Sequence, residues 1–248
     1  MTSFARQYFD GVIQLLRQIA DEEAEALQAG ARLMADAIEQ GKRIFAFGCT
    51  HSSLPIQDLV YRAGGLMLIN PLFGPGIASL DVHPPQMTSA IERLSGYAKA
   101  LLDTSPMGVG DVLILVSVSG RNAVPVELAE EARKSGVRVI GVTSRRYTDA
   151  FPSRHPSGKK MYQHADVVLD NKVEAGDAFL KAEGAPQKFC PASGVTSTAV
   201  LQALVAATVE ELLARGITPP IYLAANVEGG MDYNARMLEK YKDRIVFG

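Results

Sequence analysis

The segment Ser-Val-Ser-Gly-Arg-Asn at residues 117–122 is the part of the chain best suited to bind a ligand. It places two hydroxyl groups, those of Ser117 and Ser119, directly after an apolar run. Gly120 and Asn122 then lead into a stretch with helical periodicity. A phosphate group needs several short hydrogen-bond donors, and a helix N-terminus supplies unpaired backbone N–H groups and a positive dipole end. The segment therefore predicts a phosphate-binding turn between a strand and a helix.

A second segment, Gly-Cys-Thr-His-Ser-Ser at residues 48–53, repeats this arrangement after an earlier apolar run, with Ser52 and Ser53 at the start of the next helix. Serine and asparagine ahead of a helix commonly act only as N-caps, so capping alone is the alternative for either segment. In open parallel sheets, ligands bind beyond the carboxyl ends of the strands. Two segments of matching composition at such ends favour a shared binding site.

Three side chains are candidates for proton transfer, which needs a carboxylate or an imidazole near the substrate. Glu92 follows the irregular stretch after the second apolar run, and we expect it to open a helix. Glu174, with Asp177 close by, lies in a long irregular stretch after the fifth run, and His51 lies within the first segment. The alternatives are a solvated helix glutamate, surface loop charges and a loop histidine with a purely structural role.

The elements that must hold these residues follow from the apolar periodicity. Residues 4–40 carry apolar side chains at three- and four-residue steps, which predicts a long amphipathic N-terminal helix with a break near Gly30. Short, continuous apolar runs then alternate with helical stretches, a pattern typical of parallel strands buried on both faces. The runs are residues 43–47, 65–70, 112–116, 137–142 and 165–169. We therefore predict an α/β fold, a three-layer αβα sandwich around a doubly wound, five-stranded parallel sheet.

Two long segments without clear periodicity, residues 70–90 and 171–194, interrupt this rhythm. Segments of that length in a compact domain are usually functional. A largely apolar helix is expected over residues 196–215, followed by a tail over 218–248 that ends in a charged helix. We expect a single domain over residues 1–248, divided into a helical layer at 1–40, a core at 41–215 and a C-terminal tail at 216–248.

Composition and charge exclude several classes of protein. The 25 basic and 27 acidic side chains give a net charge of -2, which offers no excess positive charge for a nucleic-acid backbone. No apolar run reaches the roughly 18 residues of a membrane span and the N-terminus lacks a secretory signal, so we expect a cytoplasmic protein without membrane contact. Two cysteines, Cys49 and Cys190, and four histidines predict neither a disulfide framework nor a metal site. No dinucleotide-binding or Walker-type glycine motif is present, so no cofactor is expected.

The order of elements, the Ser-x-Ser-Gly-x-Asn turn and the Gly-x-x-x-Ser turn together resemble the sugar isomerase (SIS) domain family of phosphosugar isomerases and phosphosugar-binding regulators. Phosphoheptose isomerases are among the similar members, and the similarity covers roughly residues 43–215, with the N-terminal helix also typical. It implies a phosphorylated sugar as the ligand. The side chains that it implies at the phosphate are Ser52, Ser117, Ser119 and Asn122. Asn122 stands where many members have threonine, and Thr50 replaces the second glycine usual in the first turn.

The resemblance also implies roles outside the two turns. The surroundings of Glu92 are similar to the region where N-acetylmuramic acid 6-phosphate etherases keep a catalytic glutamate. A Ser/Thr stretch closes over the ligand in these proteins, which makes Ser193 and Ser197 candidate sugar contacts, although helix capping would also explain them. His83 is the candidate to reach a neighbouring subunit's site, and the family implies a homodimer.

Two functions remain open at this point. The first is an aldose–ketose isomerase, or a related phosphosugar lyase, that acts by enolisation with Glu92 or Glu174 as the base. The second is a non-catalytic module that senses a phosphosugar and reports it to a partner. The N-terminal helix is acidic over residues 21–25 and does not suit a DNA-binding segment, so the enzyme is preferred. A fold shared by isomerases, etherases and sensors does not decide the reaction.

Overall fold

A five-stranded parallel sheet organises the chain, in a computed structural model that describes residues 3–78 and 83–247. The helices are α1 (Phe4–Glu22), α2 (Ala24–Glu39), α3 (Ser53–Leu59), α4 (Gln86–Ile91), α5 (Tyr97–Asp103), α6 (Ala123–Lys134), α7 (Arg145–Ala150), α8 (Ser193–Ala214) and α9 (Gly230–Lys240). The strands are β1 (Ile44–Gly48), β2 (Ile69–Pro71), β3 (Val112–Val116), β4 (Arg138–Thr143), β5 (Val167–Asp170), β6 (Ala178–Leu180) and β7 (Phe189–Pro191). A short 3-10 helix, Met161–His164, precedes β5.

The strands of the main sheet run in the order β2-β1-β3-β4-β5, and every neighbouring pair is parallel. The register pairs Gly48 at the end of β1 with Val116 at the end of β3, and Val116 with Val142 near the end of β4. The carboxyl ends of these strands therefore meet at one edge of the sheet. The residues that follow them along the chain become neighbours in space.

Apolar side chains cover both faces of the sheet. On one face, α2, α3 and α8 pack through residues such as Met34, Ile56 and Leu204. On the other face, α5 and α6 pack through residues such as Leu102 and Leu128. This arrangement confirms the expected three-layer α/β fold, and it explains the continuous apolar runs, because β1 and β3 are buried at every position.

The N-terminal helical segment breaks at Glu23, and the expected break near Gly30 was wrong. Gly30 lies buried inside α2, where an added β-carbon would lie 2.9 Å from Cδ1 of Leu204. The glycine therefore allows α2 and α8 to approach closely. It does not interrupt the helix.

The second strand is shorter than expected and begins later. Only Ile69–Pro71 joins the main sheet. The residues before it bond instead to the C-terminal tail, since Met67 N–H donates to Pro220 O at 2.8 Å and Tyr222 N–H donates to Gly65 O at 3.0 Å. Sequence periodicity could not show which residues of this run pair with the main sheet and which pair with the C-terminal tail, because either pairing buries apolar side chains.

Two further elements differ from expectation. The irregular stretch over 171–194 contains the antiparallel hairpin of β6 and β7. Glu92 follows α4 as its C-terminal cap, so the expectation that it opens a helix was wrong. Residues 79–82, inside the other irregular stretch, lie outside the described part of the chain.

Among the helices that the structure describes, α8 is the one whose length and composition would allow it to cross a membrane. An inner helix of a folded domain has the same properties. Leu201 and Leu204 on α8 are buried in the cluster that α8 shares with α2. The apolar character of α8 is used in this packing.

A buried ion cluster links the break between α1 and α2 to the end of β5. The ammonium of Lys172 pairs with the carboxylate of Glu23, and both side chains are only 9% exposed. Glu22 and Asp170 contribute further carboxylate oxygens at 3.1 and 3.4 Å. Removing one partner of a buried pair leaves the other charge uncompensated, which is strongly destabilising.

We predict that Lys172→Met lowers the free energy of unfolding by about 3–5 kcal/mol, because it leaves buried carboxylates without a counter-charge. Urea unfolding followed by circular dichroism measures the change. The double variant Lys172→Met/Glu23→Gln should recover part of the loss. Lys99→Met, which breaks an exposed pair with Asp103, serves as the control and should cost less than about 1 kcal/mol. Equal losses of unfolding free energy in Lys172→Met and Lys99→Met would contradict a stabilising role of the buried ion cluster.

Candidate functional site

A cavity of about 800 Å³ opens at the carboxyl edge of the main sheet. Its walls come from the segments after β1 and β3, the C-terminal end of α4, the segment around α7 and the N-terminus of α8. The predicted candidates on its lining are His51, Ser52, Glu92, Ser117, Ser119, Asn122, Ser193 and Ser197. The parallel register thus brings together residues that are far apart in the sequence.

The turn at residues 117–122 presents a set of unpaired donors to this cavity. The backbone N–H groups of Ser119, Arg121 and Asn122 have no acceptor among the described residues, and neither does the hydroxyl of Ser119. The N-cap Asn122 makes no side-chain capping bond to α6. Unpaired N–H groups at a helix N-terminus are the donors that an anion requires.

Gly120 shapes the turn and does not line the cavity. Its φ is +56°, and its N–H donates to the hydroxyl of Ser117 at 3.3 Å. An added β-carbon would lie 2.9 Å from Oγ1 of Thr143 and 3.0 Å from Oγ1 of Thr148. Both the dihedral angle and the space therefore require glycine at this position.

The turn after β1 contributes side chains more than backbone donors. Its own carbonyls accept its backbone bonds, since Ser52 N–H donates to Cys49 O at 2.9 Å and Ser53 N–H donates to Thr50 O at 3.0 Å. Ser52 and His51 line the cavity. The hydroxyl of Ser53 is buried and donates back to Thr50 O at 2.7 Å, so Ser53 acts inside the turn. Thr50 adopts a left-handed φ of +51°, the conformation that the glycine usual here would favour.

Glu92 is the carboxylate that the fold places against the turn at residues 117–122. Burial raises the pKa of Glu92, while the side-chain amide of Asn122 and the charges of Arg93 and Arg154 act in the opposite direction. The backbone is anchored as well, since Val124 N–H at the start of α6 donates to Glu92 O at 3.0 Å. A carboxylate with a raised pKa in a cavity has the properties of a general base.

Glu174 is not brought to the cavity. Its exposed carboxylate pairs with Lys188. Asp177, its neighbour in sequence, lines the cavity and caps α8, where it accepts the N–H groups of Ser193 at 2.9 Å and Ala192 at 3.2 Å. The positive end of α8 is therefore already matched by a carboxylate.

The late serines line the cavity but their hydroxyls are engaged within the protein. The hydroxyl of Ser193 donates to Asp177, and that of Ser197 accepts from Nδ2 of Asn171 at 2.9 Å. Both side chains therefore order the wall around α8. His83 is exposed and is not among the lining residues.

Sequence reasoning missed the basic side chains of the site. Arg93, Arg121 and Arg154 all line the cavity. Arg121 lies within the turn at residues 117–122, so its place in the sequence could have predicted that it lines the cavity. Arg154 comes from the irregular segment after α7, and nothing in the sequence links it to the turn.

Comparison of sequences identifies relatives over the whole chain. A profile described as the SIS domain matches residues 7–144. A UPF0309 protein of Streptomyces griseus is 49% identical over 246 residues, which cover 99% of this chain and 98% of the relative. A UPF0309 protein of Shouchella clausii is 40% identical over 99% of both chains.

Comparison of structures shows a shared fold. A phosphoheptose isomerase from Francisella tularensis superposes with a TM-score of 0.52 at 16% identity, covering 85% of this chain and 100% of that one. A phosphoheptose isomerase from Neisseria gonorrhoeae gives a TM-score of 0.51 at 19% identity, covering 82% and 97%. At these identities the likeness concerns the fold alone.

We predict that Gly120→Ala destabilises the protein and disrupts the turn at residues 117–122. Gly158→Ala is the matched control, because Gly158 also has a positive φ but would place its β-carbon in open space. The control should cost about 1–2 kcal/mol for the left-handed dihedral alone. Gly120→Ala should cost about 1–3 kcal/mol more, because the β-carbon meets two threonine hydroxyls. Denaturant unfolding measures both, and equal losses would show that the turn has room for a side chain.

Proposed function

The chain belongs to the SIS-domain family, and on that basis we propose that it binds a phosphorylated sugar in the cavity at the carboxyl edge of its sheet. The observation that carries the proposal is the set of unpaired donors in the turn at residues 117–122. These donors face the same cavity as a carboxylate of raised pKa. A phosphate site beside a base is what a reaction on a phosphosugar needs.

The phosphate fits the N-terminus of α6 better than any other part of the cavity. The N–H groups of residues 119, 121 and 122 and the hydroxyl of Ser119 can each donate to one of its oxygens. Ser52, from the neighbouring strand end, offers a further hydroxyl. The N-terminus of α8 is the competing site, but Asp177 accepts the N–H groups of Ala192 and Ser193 there, and its carboxylate would repel a second anion.

We propose further that the protein is an aldose–ketose isomerase, or a related phosphosugar lyase, that acts through enolisation. Glu92 would remove the proton from the carbon next to the carbonyl and return it to the former carbonyl carbon. A proton moves between the two oxygens at the same time, so atoms and charge balance. His51, which also lines the cavity, is the candidate for the acid that opens the sugar ring.

The surroundings of Glu92 suit this role. Burial disfavours the charged form and makes the carboxylate a stronger base than one in water. The nearby charges of Arg93 and Arg154 can stabilise the negative charge that develops on an enediolate. Such stabilisation acts where the charge forms, which is the requirement for lowering the barrier.

We expect sugar phosphates to raise the melting temperature of the protein and Ser119→Ala to weaken their binding about tenfold, since it removes one donor to a charged oxygen. A thermal-shift screen across hexose, heptose and amino-sugar phosphates, followed by calorimetry on the best ligand, measures both. Ser95→Ala, an exposed serine outside the cavity, is the control. The absence of any phosphate-dependent shift would refute the proposed ligand.

Turnover of that ligand tests the reaction. We expect Glu92→Gln to lower kcat by about a hundredfold or more while binding is kept, because the amide cannot accept the proton. Glu174→Gln, a carboxylate outside the cavity, should leave kcat unchanged. Binding without turnover in the wild type would favour the non-catalytic sensor.

The pH profile gives an independent check on Glu92. The base works only when deprotonated, so kcat/KM should rise with pH through its pKa and fall below it. Because burial raises this pKa above the ordinary value of 4.5, the acid limb should lie above that of an exposed glutamate. A rate that is flat through this range, or the same acid limb in Glu92→Gln, would assign the base to another group.

A further inference from the structure

Arg93, Arg121 and Arg154 form an arginine cluster on the wall of the cavity, and we infer that it binds a second anionic group of the same ligand. The inference rests on the proposed function and narrows its substrate to phosphosugars that carry a carboxylate or a second phosphate. No carboxylate of the described residues forms an ion pair with any of the three guanidinium groups.

The cluster is held in place by contacts to the turn at residues 117–122, the proposed phosphate turn. Arg154 N–H donates to Arg121 O at 2.8 Å, and Nη1 of Arg154 donates to Oδ1 of Asn122 at 3.1 Å. The guanidinium of Arg121 lies over the ring of Phe151, at 5.3 Å from its centre. Two of the three arginines are therefore oriented by contacts other than ion pairs.

The electrostatics of the cluster favour an anion. Burial, followed by the positive charge of Arg154, lowers the pKa of Arg121, and Arg93 acts in the same direction. Nε of Arg121 is buried without a hydrogen-bond partner among the described residues. Like charges close together and a buried donor without a partner are unfavourable, and one bound oxyanion would relieve both.

The cluster lies on a different side of the phosphate turn from the serine of the first segment. In the sheet, β3 lies between β1 and β4, so the turn after β3 has a neighbour on each side. Ser52 approaches from the β1 side. Arg121 stacks on Phe151, which follows β4 and α7, so its guanidinium points to the β4 side. One phosphate bound by the turn and by Ser52 leaves Arg121 and Arg154 for a second group.

A guanidinium group suits this second position because of its shape. Its planar fork of donors matches the two oxygens of a carboxylate or of a phosphate. The cluster would therefore select a sugar phosphate that carries a second anionic group. A ligand without that group would leave the arginines with no ion-pair partner of its own.

A pair of open-chain ligands tests the inference. 6-Phosphogluconate and sorbitol 6-phosphate share the same carbon number and the phosphate, and they differ in a terminal carboxylate against a terminal alcohol. We expect calorimetry to show that the wild type binds 6-phosphogluconate about tenfold to a hundredfold more tightly, the effect of one or two charged hydrogen bonds. Fructose 1,6-bisphosphate tests whether a second phosphate is preferred to a carboxylate. Tighter binding of this ligand or of 6-phosphogluconate than of sorbitol 6-phosphate supports the inference.

Substitutions separate the two anion sites. Arg154→Gln should remove most of the preference for 6-phosphogluconate and change the Kd for sorbitol 6-phosphate by less than about twofold. Arg121→Gln should act in the same way, and thermal melts check that it folds without the stacking on Phe151. Arg146→Gln, an exposed arginine of α7 outside the cavity, should change neither ligand.

Three results would overturn the inference. If neither 6-phosphogluconate nor fructose 1,6-bisphosphate binds the wild type more tightly than sorbitol 6-phosphate, the cluster recognises no second anion. Equal weakening of both ligands by Arg154→Gln would show that the arginines bind the single phosphate, and the proposed function would stand. Failure of both ligands and of inorganic phosphate to bind would overturn the proposed function together with the inference.

Discussion

The site depends on one constraint, the parallel register that aligns the carboxyl ends of β1, β3 and β4 at one edge of a buried sheet. A parallel strand that enters a helix leaves the first N–H groups of that helix without intrahelical acceptors. In the turn before α6 the N–H groups of Ser119, Arg121 and Asn122 stay unpaired among the described residues, whereas the turn before α3 bonds its own N–H groups. The two turns look alike in composition, but the backbone gives them different capacities. One presents unpaired N–H donors to the cavity, and the other presents side chains.

The carboxyl edge of the sheet also separates positive from negative charge around the cavity. Two helices, α6 and α8, direct their N-termini to it. Asp177 already caps α8, so its dipole is matched within the protein. In the turn before α6, no carboxylate of the described residues accepts the N–H groups of Ser119, Arg121 and Asn122, and the charges of Arg93, Arg121 and Arg154 lie near one another there. An incoming anion therefore meets attraction at α6 and repulsion at α8, which gives the cavity a polarity along which a sugar can be oriented, with Glu92 beside the α6 end.

The outcome for individual residues shows how far sequence reasoning reached. Ser52 and Ser119 line the same cavity, as the strand-end argument expected, because chain order and parallel pairing together imply that the turns after β1 and β3 are neighbours. Glu174 was placed by its position after the fifth strand, but the hairpin of β6 and β7 and the pairing with Lys188 hold it on the surface. Gly30 was interpreted as a helix breaker, and the contact with Leu204 gives it a packing role. In these cases the deciding contact joins residues far apart in the chain.

The sequence by itself determined the class of fold and the likeness to SIS domains. Short, continuous apolar runs that alternate with helical stretches are typical of a parallel sheet covered on both faces, and a serine-rich turn between such a run and a helix suits an N-cap or an anion site. Only the tertiary structure decided which donors are unpaired, which carboxylate faces the turn and which arginines surround it. Those properties depend on long-range hydrogen bonds and burial. Arg154 lies 32 positions beyond Asn122 and still donates to its side chain, a contact that no local pattern of residues encodes.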